Sequence, residues 1–223
     1  MPVRKSLIFV IFIFIISMFL FGSSVYADFI KIRAEIPDKG NEIIIANMSF
    51  DEKFPSVAYN RKHNEYLAVW QVNWPAVPRQ ILGARISIAG KVLETFVISP
   101  SLRDSAQPDV AYDPVNDRYL VVYIYDTVGN GSNWDLRGRF IPWDGPSSSL
   151  NEFDICDWNN HQWNPKVDYA RAKEEYLVAW NNEDQSHALK SNVGLQRVKA
   201  SDGSLISDLT IYHPTNAEDR TNV

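Results

Sequence analysis

The chain has 223 residues and a formal net charge of −5, so it has room for one domain or two small ones. No basic cluster is present, which excludes a typical nucleic-acid-binding surface because phosphate binding needs concentrated positive charge. Cys156 is the one cysteine, which excludes an intramolecular disulfide. We expect Cys156 to be a small buried hydrophobe in a strand, with a disulfide between molecules as the alternative.

The N-terminus has the order of a secretory signal peptide. Arg4 and Lys5 precede an apolar run over residues 7–21, and the small-residue sequence GSSVYA follows. The run is shorter than the roughly 20 residues of a transmembrane helix. We therefore expect residues 1–27 to be a cleaved signal peptide and the mature protein to be secreted, periplasmic or at the cell surface. A retained N-terminal membrane anchor is the alternative.

A repeat dominates the mature part, residues 28–223. Its first sixteen residues read PSVAYNRKHNEYLAVW from Pro55, PDVAYDPVNDRYLVVY from Pro108 and PKVDYARAKEEYLVAW from Pro165. Each copy predicts a three-residue strand after the proline, a polar turn, and a second strand that is apolar on both faces. A strand with two apolar faces needs cover on both sides. The repeats span about 54–106, 107–163 and 164–219.

Two further strands complete each repeat. A third strand ending in arginine is predicted at 82–86, 136–140 and 194–198, and a fourth at 95–98, 152–155 and 208–211. Four short antiparallel strands in tandem predict an all-β protein, a β-propeller with one four-stranded blade per repeat. A string of small β-sandwich domains is the rival fold, but about 55 residues is short for one and no linker separates the units.

The propeller is expected to be incomplete. Residues 43–46 are predicted to form a lone fourth strand, and Val223 corresponds to the first strand residue of a fourth repeat. Closed propellers have roughly four to eight blades. Three full repeats plus partial ones therefore indicate either a truncated piece of a longer propeller or chains that self-associate to close the ring. Tyr59, Tyr66, Trp70 and their counterparts are predicted to fill the space between blades.

The repeat form P-x-V-A-Y, six residues, Y-L-V-V-W, with G-x-R in the third strand, resembles β-propeller repeats of exported bacterial proteins. The resemblance covers about residues 43–223. More distantly, the layout is similar to sialidase-like propellers, which carry an Asp-box, S-x-D-x-G-x-T-W, between the third and fourth strands. Here those turns read SIAGKVLE, IPWDGPSSS and KASDGSLIS. Only Ser201-Asp202-Gly203 comes near, so the Asp-box is not matched.

Three groups of residues are candidate ligand contacts. Aromatic rings in predicted loops suit a glycan-binding face: Trp74, Trp134, Trp158 and Trp163. Arginines at matching repeat positions would clamp a carboxylate if they converged, as in sialidase-like enzymes, or else pair with acids of neighbouring blades: Arg85, Arg139 and Arg197. An oxygen-rich loop would suit Ca²⁺, the one cofactor considered, although its residues are also ordinary turn formers: Asp126, Asn130 and Asp135.

No sequence motif identifies a catalytic residue. The chain lacks an H-E-x-x-H pair, a P-loop, a dinucleotide fingerprint and a G-x-S-x-G elbow. The favoured function is an exported propeller that serves as a binding or scaffold module and contacts a protein or glycan through its variable loops. The alternatives are a fragment of a carbohydrate-active, sialidase-like hydrolase and a non-functional remnant of a larger gene.

If the signal peptide is cleaved as expected, the exported protein begins at Asp28. Mass spectrometry of the protein recovered from the periplasm or medium of a bacterial host checks this. Recovery of the intact N-terminus in the membrane fraction would instead show that the segment is a retained anchor.

Overall fold

The computed structural model describes residues 43–75, 77–99, 103–146, 152–158, 161–184 and 190–206. The predicted signal peptide, the strand predicted at 208–211 and Val223 lie outside these ranges. By contacts the chain divides into two units, Met1–Asn47 and Met48–Val223. Within the described residues, no helix has the length and apolar character needed to cross a membrane.

All the described strands belong to the second unit and form three four-stranded antiparallel sheets. Blade 1 contains β1 (Asp51–Asn60), β2 (Glu65–Asn73), β3 (Gln80–Ser87) and β4 (Val92–Val97). Blade 2 contains β5 (Ser105–Asp113), β6 (Arg118–Asp126), β7 (Trp134–Pro142) and β8 (Glu152–Cys156). Blade 3 contains β9 (Gln162–Ala170), β10 (Glu175–Asp184), β11 (Lys190–Lys199) and β12 (Leu205–Ile206). Strands pair in sequence order within each blade, which confirms the predicted all-β propeller.

Residues 43–46 contain no strand, so the lone fourth strand predicted there is wrong. Ile43 and Ile44 are exposed, and no ladder partner for this segment is found among the described residues. A strand is stabilised by its ladder and by cross-strand contacts, and an apolar run without a partner does not supply them. Cys156, by contrast, is buried at the end of β8 as expected, and burial raises the pKa of its thiol to about 11.

The first strand of each blade is longer than predicted because it continues through its proline. The ladder skips each proline and the residue before it, a β-bulge that recurs in all three blades. Phe54, Gln107 and Asn164 directly precede the prolines and have φ values of 52°, 52° and 51°. Because proline has no N–H to donate, the bulge is what lets the strand continue on its far side.

Neighbouring blades pack face to face. In β6, Tyr119, Val121 and Tyr123 are buried against blade 1, whereas Leu120 and Val122 are buried against blade 3. This confirms the predicted cover on both faces for β6. The predicted aromatic filling is confirmed for four rings between blades, namely Tyr119, Tyr123, Tyr176 and Trp180.

A buried carboxylate, Asp109, ties the first strands of the three blades together. Ser56 of β1 donates its hydroxyl to Asp109 at 2.6 Å, and the backbone N–H of Val167 in β9 donates to the other carboxylate oxygen at 2.9 Å. The ammonium of Lys166 lies 3.6 Å from Asp109. Ser56, Asp109 and Lys166 hold the same position in the repeat, directly after the proline. Blade 2 therefore holds both neighbours at the strands that line the propeller axis.

Three equivalent leucines test the blade packing. Leu67 and Leu120 are fully buried, but Leu177 is 42% exposed on the face of blade 3 that points away from blade 2. Leu67→Ala or Leu120→Ala is expected to lower the free energy of unfolding by about 3–4 kcal/mol through the cavity left behind. Leu177→Ala should cost only about 1 kcal/mol because less apolar area leaves water on folding.

Urea denaturation of the three variants checks this ranking. An equal loss of unfolding free energy for Leu177→Ala would contradict the exposed position of Leu177. It would show that another sheet or a partner covers that face.

Candidate ligand-binding site

The first strands of the three blades enclose a cavity of about 410 Å³. Each strand contributes the same three positions, the Val-Ala-Tyr segment of the repeat, with Asp168 in place of the alanine in β9. The first turn residue after each strand completes the lining: Arg61, Pro114 and Arg171. The cavity thus lies at the end of the axis where the turns between first and second strands lie. We call this the hairpin end, and the opposite end the loop end.

One tyrosine from each blade faces the cavity, and each is supported by a second tyrosine on the adjacent strand. The ring centroids are 4.9 Å apart in blade 1 and 5.1 Å apart in blades 2 and 3, for the pairs Tyr59–Tyr66, Tyr112–Tyr119 and Tyr169–Tyr176. Such cross-strand aromatic pairs restrain the rings. The side chain of Tyr59 is 42% exposed, and Tyr112 and Tyr169 are half-buried. The cavity wall is therefore a restrained aromatic surface that solvent reaches.

Two of the tyrosine hydroxyls are hydrogen-bonded at the end of their own turn. Tyr59 donates to Asn64 at 3.0 Å and Tyr112 donates to Asp117 at 2.8 Å. Asn64 and Asp117 have φ values of 53° and 56°, a left-handed conformation that short polar side chains tolerate. Partial burial and the hydrogen bond to Asp117 raise the pKa of Tyr112 well above its usual range. Tyr112 therefore stays protonated and keeps donating to Asp117.

Asp117 also joins the turns of blades 1 and 2. Nε2 of His63 lies 2.9 Å from its carboxylate and the ammonium of Lys62 also lies at 2.9 Å. Partial burial acts to raise the pKa of Asp117, but hydrogen bonds from His63, Lys62 and Tyr112 outweigh it and hold the pKa below its usual value. The His63 ring stacks on Trp143 with centroids 3.6 Å apart. The negative charge beside the cavity wall is thus already engaged by protein donors.

Arg61 and Arg171 differ from the other described arginines. Both are exposed, both line the cavity, and neither guanidinium makes a hydrogen bond or ion pair with a described residue. The other seven described arginines all engage a neighbouring group. Asp168, the one carboxylate of the lining, accepts a hydrogen bond from the backbone N–H of Tyr169 at 2.8 Å. The cavity therefore presents two positive groups whose hydrogen-bond donors are available to a ligand.

The predicted arginine clamp is not assembled. Arg85 forms a two-pronged pair with Glu65, at 3.0 and 2.9 Å, and Arg197 forms the same pair with Glu175, at 3.0 and 2.6 Å. Each glutamate belongs to the same blade as its arginine, so the pairs lie within blades rather than between them. Neither arginine lines the cavity.

Arg139 is not equivalent to Arg85 and Arg197, which corrects the sequence alignment. Arg85 and Arg197 each lie opposite the leucine that follows the first tyrosine of the second strand. In blade 2 the residue opposite that leucine is Phe140, and Arg139 lies opposite Val121. A shift of one residue moves a strand side chain to the other face of the sheet. Arg139 consequently faces blade 1.

Burial removes Arg139 from any ligand. It is fully buried, and its nearest acid is Glu152, whose carboxylate lies 4.0 Å away and accepts a 2.5 Å hydrogen bond from Tyr123. Burial lowers the pKa of Arg139, with the nearby Tyr123 and Glu152 acting in the opposite direction. This arginine is part of the interface between blades 1 and 2.

The four candidate tryptophans all lie at the loop end, but they do not present four exposed rings. Trp134 and Trp163 were predicted in loops but lie in β7 and β9, with ring centroids 5.8 Å apart. Trp134 is buried under the guanidinium of Arg79, so its ring is not available to a ligand. Trp74 packs against Phe50 at 5.2 Å. Trp158 is the most exposed of the four, at 41%.

The candidate calcium ligands serve as hydrogen-bond acceptors within their loop. Asp126 accepts from the N–H groups of Gly129 and Gly131 at 2.9 and 2.8 Å. Asp135 accepts from Thr127 and Asn133, and Asn130 accepts from the N–H of Ser132 at 2.9 Å. The described residues contain no cluster of three or more histidine, cysteine or acidic side chains suited to a metal ion. Calcium binding stays a prediction, and the loop geometry is explained without it.

Two solved structures with a similar fold are carbohydrate-active enzymes by name. One is a Hadza microbial sialidase, with a TM-score of 0.53 and 14% identity, covering 69% of this chain and 36% of that chain. Another is the endo-arabinase from Bacteroides thetaiotaomicron, with a TM-score of 0.52 and 12% identity, covering 73% of this chain and 64% of that chain. These likenesses show a distantly sialidase-like β-propeller layout, and the chain spans less than two thirds of either structure.

No protein-family model matches the sequence, and no curated protein matches it.

The cavity residues were not among the sequence candidates. The sequence predicts that Tyr59 and its counterparts fill the space between blades, and it carries no prediction for Arg61 or Arg171. The signal was nevertheless present, since the repeat places both arginines directly after the first strand, where blade 2 has Pro114. What the sequence alone does not show is that these turns meet at one end of the axis.

Asp117→Asn tests the contacts beside the cavity. Because the folded-state pKa of Asp117 is depressed, its contribution to stability is present above the unfolded pKa of about 4 and is lost as pH falls through the lower folded pKa. The variant should unfold about 1–2 kcal/mol more easily at pH 7. It should also lose less stability than the parent between roughly pH 5 and pH 2.

Thermal unfolding over this pH range, with the exposed Asp51→Asn as a control, measures both effects. Parallel pH profiles for the Asp117 variant and the parent protein would contradict the assigned contacts.

Proposed function

We propose that this protein is a carbohydrate-binding β-propeller whose ligand lies in the cavity at the hairpin end. The observation that carries the proposal is the convergence of three supported tyrosines on one solvent-accessible cavity. Aromatic rings pack against the apolar faces of sugars, while guanidinium groups supply hydrogen bonds to hydroxyls. The repeat brings such a ring to the same place from every blade.

The size of the cavity supports this function. Its volume of about 410 Å³ lies within the range typical of small-ligand sites, about 300–1,000 Å³. Its wall combines tyrosine faces with a few polar groups, the composition that gives such sites both area and orientation. The names of the similar solved propellers, a sialidase and an endo-arabinase, also support a carbohydrate ligand.

The lining favours binding over hydrolysis. Glycoside hydrolases of the usual kind need two carboxyl groups, about 5–10 Å apart, on either side of the scissile bond. Among the described residues that line this cavity, Asp168 alone carries a carboxylate. The N-terminal signal, if used as expected, places this binding outside the cytoplasm. A protein partner, self-association and the scaffold role stay predictions.

Tyr59→Ala and Tyr169→Ala test the site on a glycan array, followed by calorimetry with the best ligand. Loss of one stacking face is expected to weaken binding about five- to tenfold, and the double variant should lose more. Tyr59 is the better single variant because its exposed ring contributes less to folding.

Trp158→Ala, at an exposed ring outside the cavity, is the matched control and should bind as the parent does. If Trp158→Ala abolished binding and the tyrosine variants did not, the cavity would be the wrong site. Absence of binding to every glycan on the array would overturn the proposed function itself.

A further inference from the structure

We infer that the ligand of this cavity is an acidic glycan and that Arg61 and Arg171 bind its carboxylate. This inference rests on the proposed function and adds the chemical class of the sugar. It starts from the contrast between these two arginines and the seven others that the structure describes, all of which engage a neighbouring group.

Acids are not scarce in this chain, which carries 27 of them against 22 lysines and arginines. Five other described arginines donate hydrogen bonds to carboxylates or backbone carbonyls, often with two contacts: Arg79, Arg85, Arg118, Arg137 and Arg197. The buried Arg139 lies 4.0 Å from the carboxylate of Glu152. Arg61 and Arg171 hold the same repeat position in blades 1 and 3, flanking the uncharged Pro114 of blade 2. Two like charges beside one cavity repel each other, and a bound anion offsets that repulsion.

The lining itself carries two positive groups and one negative group, the guanidinium groups of Arg61 and Arg171 and the carboxylate of Asp168. Outside the lining, Lys62 and His63 both contact Asp117, so their side chains and that carboxylate are engaged with one another. Asp113 and Glu174 act on the phenol of Tyr169 without lining the cavity. The side chains that line the cavity therefore carry an excess of positive charge within a protein of net charge −5.

A carboxylated sugar matches the two kinds of group that the cavity presents. The planar guanidinium fork pairs with a planar carboxylate through two parallel hydrogen bonds, a geometry that lysine does not offer. The tyrosine faces beside the arginines accept the pyranose ring that carries the carboxylate. A neutral sugar would use the rings but leave both charges without a counter-ion.

Asp168 offers a test of whether the bound ligand is negatively charged. It replaces the alanine found in the other two first strands, at Ala58 and Ala111, so the repeat itself shows that alanine fits this position. Asp168→Ala removes the one negative charge of the lining while keeping both arginines. If the ligand is anionic, this variant should bind it about threefold more tightly, because a like charge is removed at close range.

The experiment uses the purified full chain and matched ligand pairs that differ only in charge. Oligosaccharides containing uronic acids, oligogalacturonate among them, are compared with the same oligosaccharides after methyl esterification, by calorimetry. A sulfated neutral oligosaccharide serves as a third arm. The parent protein is expected to bind the free acids at least tenfold more tightly than the esters. This preference should shrink as salt is raised from 0.05 to about 0.5 M.

Arg61→Gln and Arg171→Gln should each weaken binding of the acid form about tenfold and leave the ester form nearly unchanged. Lys173→Gln is the matched control, since Lys173 lies exposed in the same turn as Arg171 but does not line the cavity. All the substituted residues are exposed, and thermal unfolding confirms that each variant is folded.

The outcomes separate the inference from the proposed function. Equal binding of acid and ester, or binding of neutral glycans alone, would overturn the acidic ligand and leave carbohydrate binding intact. Tighter binding of the sulfated oligosaccharide than of the uronates would overturn the inference that the anionic group of the ligand is a carboxylate. Binding to no glycan in either form would overturn both.

Discussion

Covering both faces of β6, the second strand of the middle blade, is the constraint on which the rest of this protein depends. β6 carries buried apolar side chains toward blade 1 and toward blade 3, so no single blade is stable by itself in this arrangement. Burying a leucine of this kind contributes about 1.5–3 kcal/mol. The blades therefore stack face to face, and the same positions of each repeat recur in every interface.

Stacking the sheets in this way brings their first strands side by side. Asp109 holds the three together with hydrogen bonds from Ser56 and from the backbone of Val167. Since the strands are aligned, whatever residue a repeat places at the end of its first strand is presented to the same space as its counterparts. A tyrosine and the first turn residue occupy that place, and the cavity is the result.

The cavity also shows how structural and functional roles overlap in a repeat. Tyr112 packs against the cluster between blades 1 and 2, donates to Asp117, and still presents its ring to the axis. Asp117 in turn collects contacts from the neighbouring turn and so holds the wall in position. Arg61 and Arg171 make no such contact with any residue that the structure describes, so their guanidinium groups are available to a ligand.

Much of the fold could be predicted because the sequence contains three copies of the repeat. Short strands rich in Val, Leu, Tyr and Trp at constant spacing, separated by polar turns, indicate four-stranded blades, and the structure confirms them. The sequence-based predictions are wrong where the strand geometry departs from a constant residue spacing within the repeat. The strands continue through their prolines by way of a bulge, and Arg139 was aligned one residue away from its true position.

The sequence by itself determined the all-β class and the four-stranded blades, because these follow from local periodicity and from apolar side chains that must leave water. The tertiary structure decided which polar groups are paired. Arg85 and Arg197 have glutamates 20 and 22 residues away that register brings within hydrogen-bond distance, whereas Arg61 and Arg171 line the cavity and pair with none of the described residues. Partner choice depends on strand register and blade stacking, and both are set by contacts between residues far apart in the chain.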